Sequence, residues 1–412
     1  MNPGKRALLL FLAAPLLIGF GAGCGDFWQA PSTGTGTCTT NCTTASSSNF
    51  YILDGGTNPG IVGNSIQSGV VTAISGSPWP LQVVPYSMAI DPAGNFLVVG
   101  SSAGAYSFPI TGGTLGTGVQ ITTDQAAAVQ VDATSSWLIE AIPVLGGGAV
   151  TIAAVPLDPS TGVGNGTEQS VTYTSKAATA AVLPNQMVIS GDNQNLFVAL
   201  GTGGTDVIGF NAGVAVGSNP LASSGTIIEV ANAGGEARSV AVDPVTTSNS
   251  TPRLFYIGET LGNTTGTSGP LRIFNYSTLG GTITQATGSP IASGGLEPNF
   301  ILPLSTGTYA GEYVYVASNG SGSAGTIAGF TITASTATTP VYTIATDTTV
   351  AAGAAPTGMA EDSTGTFVFE VGSAGSPYFD AYTFDATSLG QLDSQVTSLA
   401  QGNAVAIVAA PQ

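Results

Sequence analysis

From residue 49 onward the chain is built of short apolar runs separated by turn residues. The clearest unit is residues 88–110, MAIDPAGNFLVVGSSAGAYSFPI. Met88-Ala-Ile90 stops at Asp91-Pro-Ala-Gly94, where Pro92 presets φ for a turn, Asp91 can accept from the turn backbone and Gly94 tolerates positive φ. Phe96-Leu-Val-Val99 is an apolar run of strand length bounded by turn residues; Ser101-Ser-Ala-Gly104 turns the chain again, and Ala105-Tyr-Ser-Phe108 opens a third strand.

Further copies pair a first apolar strand with a second. They are Val129-Gln-Val-Asp132 with Trp137-Leu-Ile139, Met187-Val-Ile-Ser-Gly-Asp192 with Leu196-Phe-Val-Ala199, and Val240-Ala-Val-Asp243 with Leu254-Phe-Tyr-Ile257. Phe300-Ile-Leu302 with Tyr313-Val-Tyr-Val316, and Met359-Ala-Glu-Asp362 with Phe367-Val-Phe369, follow the same plan. The turn aspartates 91, 132, 192, 243 and 362 are unevenly spaced, as expected when strand number is constant and loops vary. A seventh copy is split: Ala404-Val-Ala-Ile-Val408 reads as a first strand with nothing after it, and Phe50-Tyr-Ile-Leu53 as a second strand with nothing before it. Pairing these ends removes the exposed sheet edge of an open array. The expectation is therefore all-β, a single seven-bladed β-propeller over 49–412 closed by its N- and C-terminal strands.

Composition fits many short strands joined by tight turns. Only 7% of residues are charged and 58 are glycine, so surface polarity must come from Ser, Thr, Asn and Gln. The net charge is −17, and six residues in all are Lys or Arg. Nucleic acid is excluded as a partner, because phosphate neutralisation needs clustered cations. Histidine is absent. This removes Ser-His-Asp and Cys-His nucleophile systems, HExxH zinc chemistry and histidine general-base catalysis. No metal or cofactor motif is present, and no cofactor is expected.

Residues 1–23 have the form of an export signal, with Lys5-Arg6 ahead of an apolar stretch too short to span a bilayer. Gly21-Ala22-Gly23-Cys24 resembles the lipobox of bacterial lipoproteins, with Gly21 where Leu is usual. The resemblance implies that Cys24 is acylated and anchors the chain to a membrane. Gly25 rather than Asp after the cysteine points to the outer membrane. Residues 24–48 then form a Ser/Thr/Gly linker that reaches about 80 Å if fully extended. Cys38 and Cys42 within it form a local disulfide or pair elsewhere; a metal site there would lack ligands.

The repeat units resemble those of the YVTN/lactonase-type β-propellers, through Tyr86-Ser-Met-Ala-Ile-Asp-Pro-Ala-Gly-Asn-Phe-Leu-Val-Val99 and Tyr313-Val-Tyr-Val-Ala-Ser-Asn319. In lactonase-type members a blade's inner strand opens with Pro-Arg-His, and a Glu follows the next strand. The resemblance places Arg238 and Glu259 at those positions as candidate catalytic residues facing the channel, with Ser239 in place of the histidine. Arg238 can take a carboxylate or phosphate bidentately, and Glu259 can act as a base on water. The bland alternative is that the two pair with each other and hold strands together. Glu140 and Glu370, at comparable places in other blades, are candidate ligand-binding residues beside Arg238, should the carboxylates converge near the axis.

The sequence thus favours a monomeric, lipid-anchored envelope module that binds a protein or small molecule. A lactonase-like hydrolase using Arg238 and Glu259 is the alternative, and a structural spacer a second one.

Overall fold

The computed structural model describes residues 47–411, except 176–181, 245–252, 263–267, 277–281, 321–324, 335–341, 375–377, 386, 389 and 398–401. Cys24, Cys38, Cys42 and the leader and linker ahead of residue 47 lie outside the described residues. Seven antiparallel sheets, each a path of four strands, make a seven-bladed β-propeller. The inner strands of blades 1 to 6 are Pro85–Ile90, Ala128–Val131, Gln186–Ile189, Ala237–Val242, Glu297–Pro303 and Ala354–Glu361. Blade 7 takes its inner strand, Ala404–Ala409, from the C-terminal end and its other three from the N-terminal side. Ile52 stands opposite Ile407 in that pairing, so the split copy closes the ring. The second strand there begins at Ser48, two residues before Phe50, where the sequence pattern starts it.

Seven apolar clusters hold the ring, each spanning one pair of adjacent blades. They draw on the second strands, which are buried on both faces and therefore read as continuous apolar runs. At the closing interface Phe50 lies between Phe369 and Phe379, with ring centroids 4.6 and 5.0 Å away.

The turn after each inner strand lies at one end of the ring, here the turn face; the end where inner strands begin is the mouth face. On the turn face, Asp91 Oδ1 accepts from Phe96 N at 2.9 Å, while Asp132 Oδ1 accepts from Trp137 N at 2.7 Å and Asp362 Oδ1 from Phe367 N at 2.6 Å. The same carboxylates brace the next blade: Ser135 Oγ donates to Asp91 at 3.1 Å, and Asn193 Nδ2 to Asp132 at 3.2 Å. Asp192 departs from the expected pattern. Ser190 occupies the turn position in blade 3, its Oγ accepting from Asn195 N at 2.9 Å, and Asp192 instead pairs with Arg253 of blade 4 at 3.2 Å. A hydroxyl can accept the turn's amide, so the neighbouring carboxylate is released to meet a cation.

Phe50→Ala opens a cavity in the closing interface, where the ring's two chain ends meet. It is expected to lower the unfolding free energy by about 3–5 kcal/mol, measured by denaturant titration.

Candidate functional site: the channel mouth and its carboxylates

The inner strands surround a central cavity of about 540 Å³. Its walls are mainly apolar, with Met88, Met187, Phe300 and Met359 among them, and its polar groups are hydroxyls and amides such as Gln130, Asn185 and Asn299. No Asp, Glu, Lys or Arg occurs among its described lining residues.

The mouth is shaped by a repeated bulge. In blades 1, 4, 5 and 6 the register of the inner strand slips by one residue at Tyr86, Arg238, Asn299 and Thr357. Asn185 holds the same place in blade 3, two residues before Met187. Bulges re-aim side chains and interrupt pairing, and four of these five residues line the cavity. The residue before each is Pro85, Pro184, Ala237, Pro298 or Pro356. Proline is tolerated there because the inner strand is the open edge of its sheet, where a missing N–H breaks no ladder.

Several mouth residues brace one blade against the next. Asn185 Nδ2 donates to Ala237 O at 2.8 Å, Asn299 Nδ2 to Pro356 O at 3.0 Å, and Thr357 Oγ1 to Ala404 O at 2.9 Å. In blade 4 the strut comes from the following residue: Ser239 Oγ donates to Pro298 O at 2.7 Å. Ser239, fully buried, is thereby committed to bracing. Arg238 is partly exposed, and its guanidinium lies 3.7 Å from the Glu236 carboxylate.

Glu259 does not face the channel. It is fully buried on the second strand of blade 4, where Oε1 accepts from Arg272 Nη1 at 2.6 Å and Oε2 from Ala233 N at 2.8 Å. Arg272 also donates to Ala231 O at 2.7 Å and lies over the Phe274 ring, 4.9 Å from its centroid. The expected alternative pairing of Arg238 with Glu259 is therefore replaced by two separate pairs, Arg238 with Glu236 and Arg272 with Glu259. Sequence order hides this, because Arg272 comes from the third strand and reaches Glu259 only across the sheet.

Glu140 and Glu370 share one register, opposite Val129 and Met359, while Glu259 lies two residues further along its strand. None of the three converges on the axis. Each reaches the segment joining its blade to the preceding one: Thr122 Oγ1 donates to Glu140 at 2.8 Å, and Gly353 N to Glu370 at 3.1 Å, as Ala233 N does to Glu259. The three are clasps on the blade-to-blade connections. No group of three or more acidic or cysteine ligands is gathered anywhere among the described residues.

The clasps differ in charge compensation. Burial pushes the Glu140 carboxyl up to about 8, and Glu168 and Asp124 nearby add to the rise. Burial also raises Glu370 to about 8, helped by Asp380 across the sheet, itself raised to about 6 by burial. The second oxygen of each glutamate, Glu140 Oε2 and Glu370 Oε1, is buried without a hydrogen-bond partner. A protonated carboxyl suits such a site, since it carries no uncompensated charge.

No protein-family model matches the chain, and no curated protein sequence does. Among solved structures it is similar to the periplasmic gluconolactonase of Pseudomonas aeruginosa, at 15% identity over 89% of this chain and 99% of that one, with a TM-score of 0.64. A 6-phosphogluconolactonase candidate from Bacteroides fragilis matches at 13% identity over 90% and 99% of the two chains, with a TM-score of 0.62. A functionally unknown protein of Desulfotomaculum acetoxidans matches at 12% identity over 89% and 100%, with a TM-score of 0.61. These likenesses define the class: a seven-bladed β-propeller of gluconolactonase-like fold. At such identities the likeness extends to the fold alone.

The charged groups give three expectations for stability. Burial raises the Glu140 and Glu370 carboxyls from the ordinary 4.5 of an exposed glutamate to about 8 in the folded chain. Their contribution is complete below about pH 4.5 and is lost as pH rises towards 8, so the double variant Glu140→Gln/Glu370→Gln should flatten the fall in unfolding free energy over that window. Glu259→Ala strands the buried Arg272 charge and should cost about 3–5 kcal/mol. Arg238→Ala, at an exposed pair, should cost under about 1 kcal/mol in the same denaturant titration.

Proposed function

We propose that this protein is a lipid-anchored binding module of the bacterial cell envelope that takes a small molecule into its channel mouth. The observation that carries the reading is the cavity itself. An open-mouthed cavity of about 540 Å³ with mainly apolar walls and several amides and hydroxyls is the usual make-up of a small-ligand site. Hydrolysis is the weaker reading. The carboxylate assigned to base catalysis, Glu259, is buried and committed to Arg272, and Ser239 at the histidine position is committed to Pro298. A base must reach the water it activates, and the described residues of the channel lining include no carboxylate. The anchoring half of the proposal rests on Lys5-Arg6, the following apolar stretch and Ala22-Gly23-Cys24.

Two measurements test this. A thermal-shift screen of small polar metabolites should find stabilising compounds whose effect is lost in Gln130→Trp, which fills the channel. A pH-stat screen of lactones should show no turnover above background in wild type or in Glu259→Gln. Turnover abolished by Glu259→Gln would replace the binding module with an enzyme. For the anchor, wild type expressed with its own leader should partition into the membrane fraction with acyl mass on Cys24, and Cys24→Ala should not.

A further inference from the structure

Blade 6 holds a pair of acids where blade 4 holds an ion pair. Asp380, on the third strand Phe379–Phe384, stands directly opposite Glu370 on the second strand Phe367–Ala374. Asp380 takes the register position of Arg272, the cation that compensates Glu259 in blade 4. Both acids are buried, with Glu370 0% and Asp380 4% exposed. Glu370 Oε1 and Asp380 Oδ1 each lack a hydrogen-bond partner. The chain has no Lys or Arg after Arg272, although nine acidic residues follow it, so blades 5 and 6 supply no cation of their own.

The surroundings add oxygens instead. Gly353 N, in the connection from blade 5, donates to Glu370 Oε2 at 3.1 Å. Tyr382 Oη donates to Ala351 O at the end of blade 5 at 2.9 Å, and the same hydroxyl lies against Asp380. Ala351 is exposed, so the pair lies close behind the surface. Facing carboxylates with unpartnered oxygens in a dry site are costly unless they share an occupant. A proton relieves one charge; a divalent cation offsets both. An all-oxygen donor set selects a hard cation, and Ca²⁺ accepts irregular geometry and completes its shell from carbonyls, hydroxyls and water. Glu140 differs at this point, because the residue opposite it on the third strand is Ala153.

We propose that Glu370 and Asp380 form a Ca²⁺ site in blade 6, where the bound ion takes the part that the Arg272 guanidinium plays in blade 4. The site lies between two strands of one blade and is independent of any ligand in the channel. Through Glu370 it ties the connection from blade 5 to the third strand of blade 6.

Full-length protein in a nonionic detergent, stripped with EDTA and dialysed, is titrated with CaCl₂ at constant ionic strength. The melting temperature should rise saturably, with half-saturation at about 0.1–1 mM, the weak end of the range for calcium sites. At tenfold excess over that value the rise should be about 2 °C. Terbium(III) gives a direct second readout, as luminescence sensitised by Tyr382 that Ca²⁺ displaces. Glu370→Gln and Asp380→Asn should each weaken both responses at least tenfold, and their cooperative melting in EDTA shows that they fold. Glu140→Gln should leave both responses unchanged. Wild type with no saturable response holds only a proton at the pair, which would overturn the site. A response kept by both blade 6 variants would place the ion on surface acids and overturn it equally.

Discussion

A ring of sheets leaves the inner edge of every blade unpaired around the channel, and the rest of this structure is arranged around that edge. Backbone donors and acceptors along the edge cannot form ladders with neighbouring blades, which meet through side chains. Part of the edge is satisfied by struts: Asn185, Ser239, Asn299 and Thr357 each hold a carbonyl of the next inner strand, and Gln186 Oε1 accepts from Val240 N at 3.1 Å. Prolines 85, 298 and 356 lie on the same edge without breaking a ladder. The channel wall is thus polar where it braces blades and apolar between braces. That combination gives the central cavity its apolar wall with scattered amides and hydroxyls.

The glutamates serve a related constraint. Blades 2, 4 and 6 are each joined to the preceding blade by a connection that comes up against the second strand, and burying such backbone requires partners for its polar groups. Glu140, Glu259 and Glu370 supply them from the second strand of the following blade. Only the Glu259 clasp carries a compensating cation, from Arg272. In blade 6 the third-strand position corresponding to Arg272 is Asp380, opposite Glu370. One architecture therefore holds an ion pair in one blade and a carboxyl raised by burial in another, in a chain with six Lys and Arg against 23 acidic residues.

The blades were legible because their signals are local. Strand length, the Asp-Pro-Ala-Gly turn at 91–94 and the split copy at Phe50 and Ala404 each occupy a few consecutive residues. The site was legible only in part. Arg238 and Glu259 stood out by resemblance, but adjacency in a repeat does not say which face of a strand a side chain takes. Glu259 points toward the connection ahead of blade 4, where a third-strand arginine meets it. Ser239 read as a lost histidine; its strut to Pro298 became visible only beside the struts of the other blades.

The sequence by itself determined the blade count, the closure of the ring by its two ends and the absence of histidine chemistry, because apolar period, turn residues and composition act over short stretches. The tertiary structure decided which charges meet and which remain available. Arg272 rather than Arg238 neutralises Glu259, and Glu140 and Glu370 lie apart on separate blade connections. Those outcomes depend on cross-strand register and on the angle between neighbouring blades. Both arise from the packing of residues far apart in the chain, which no local pattern encodes.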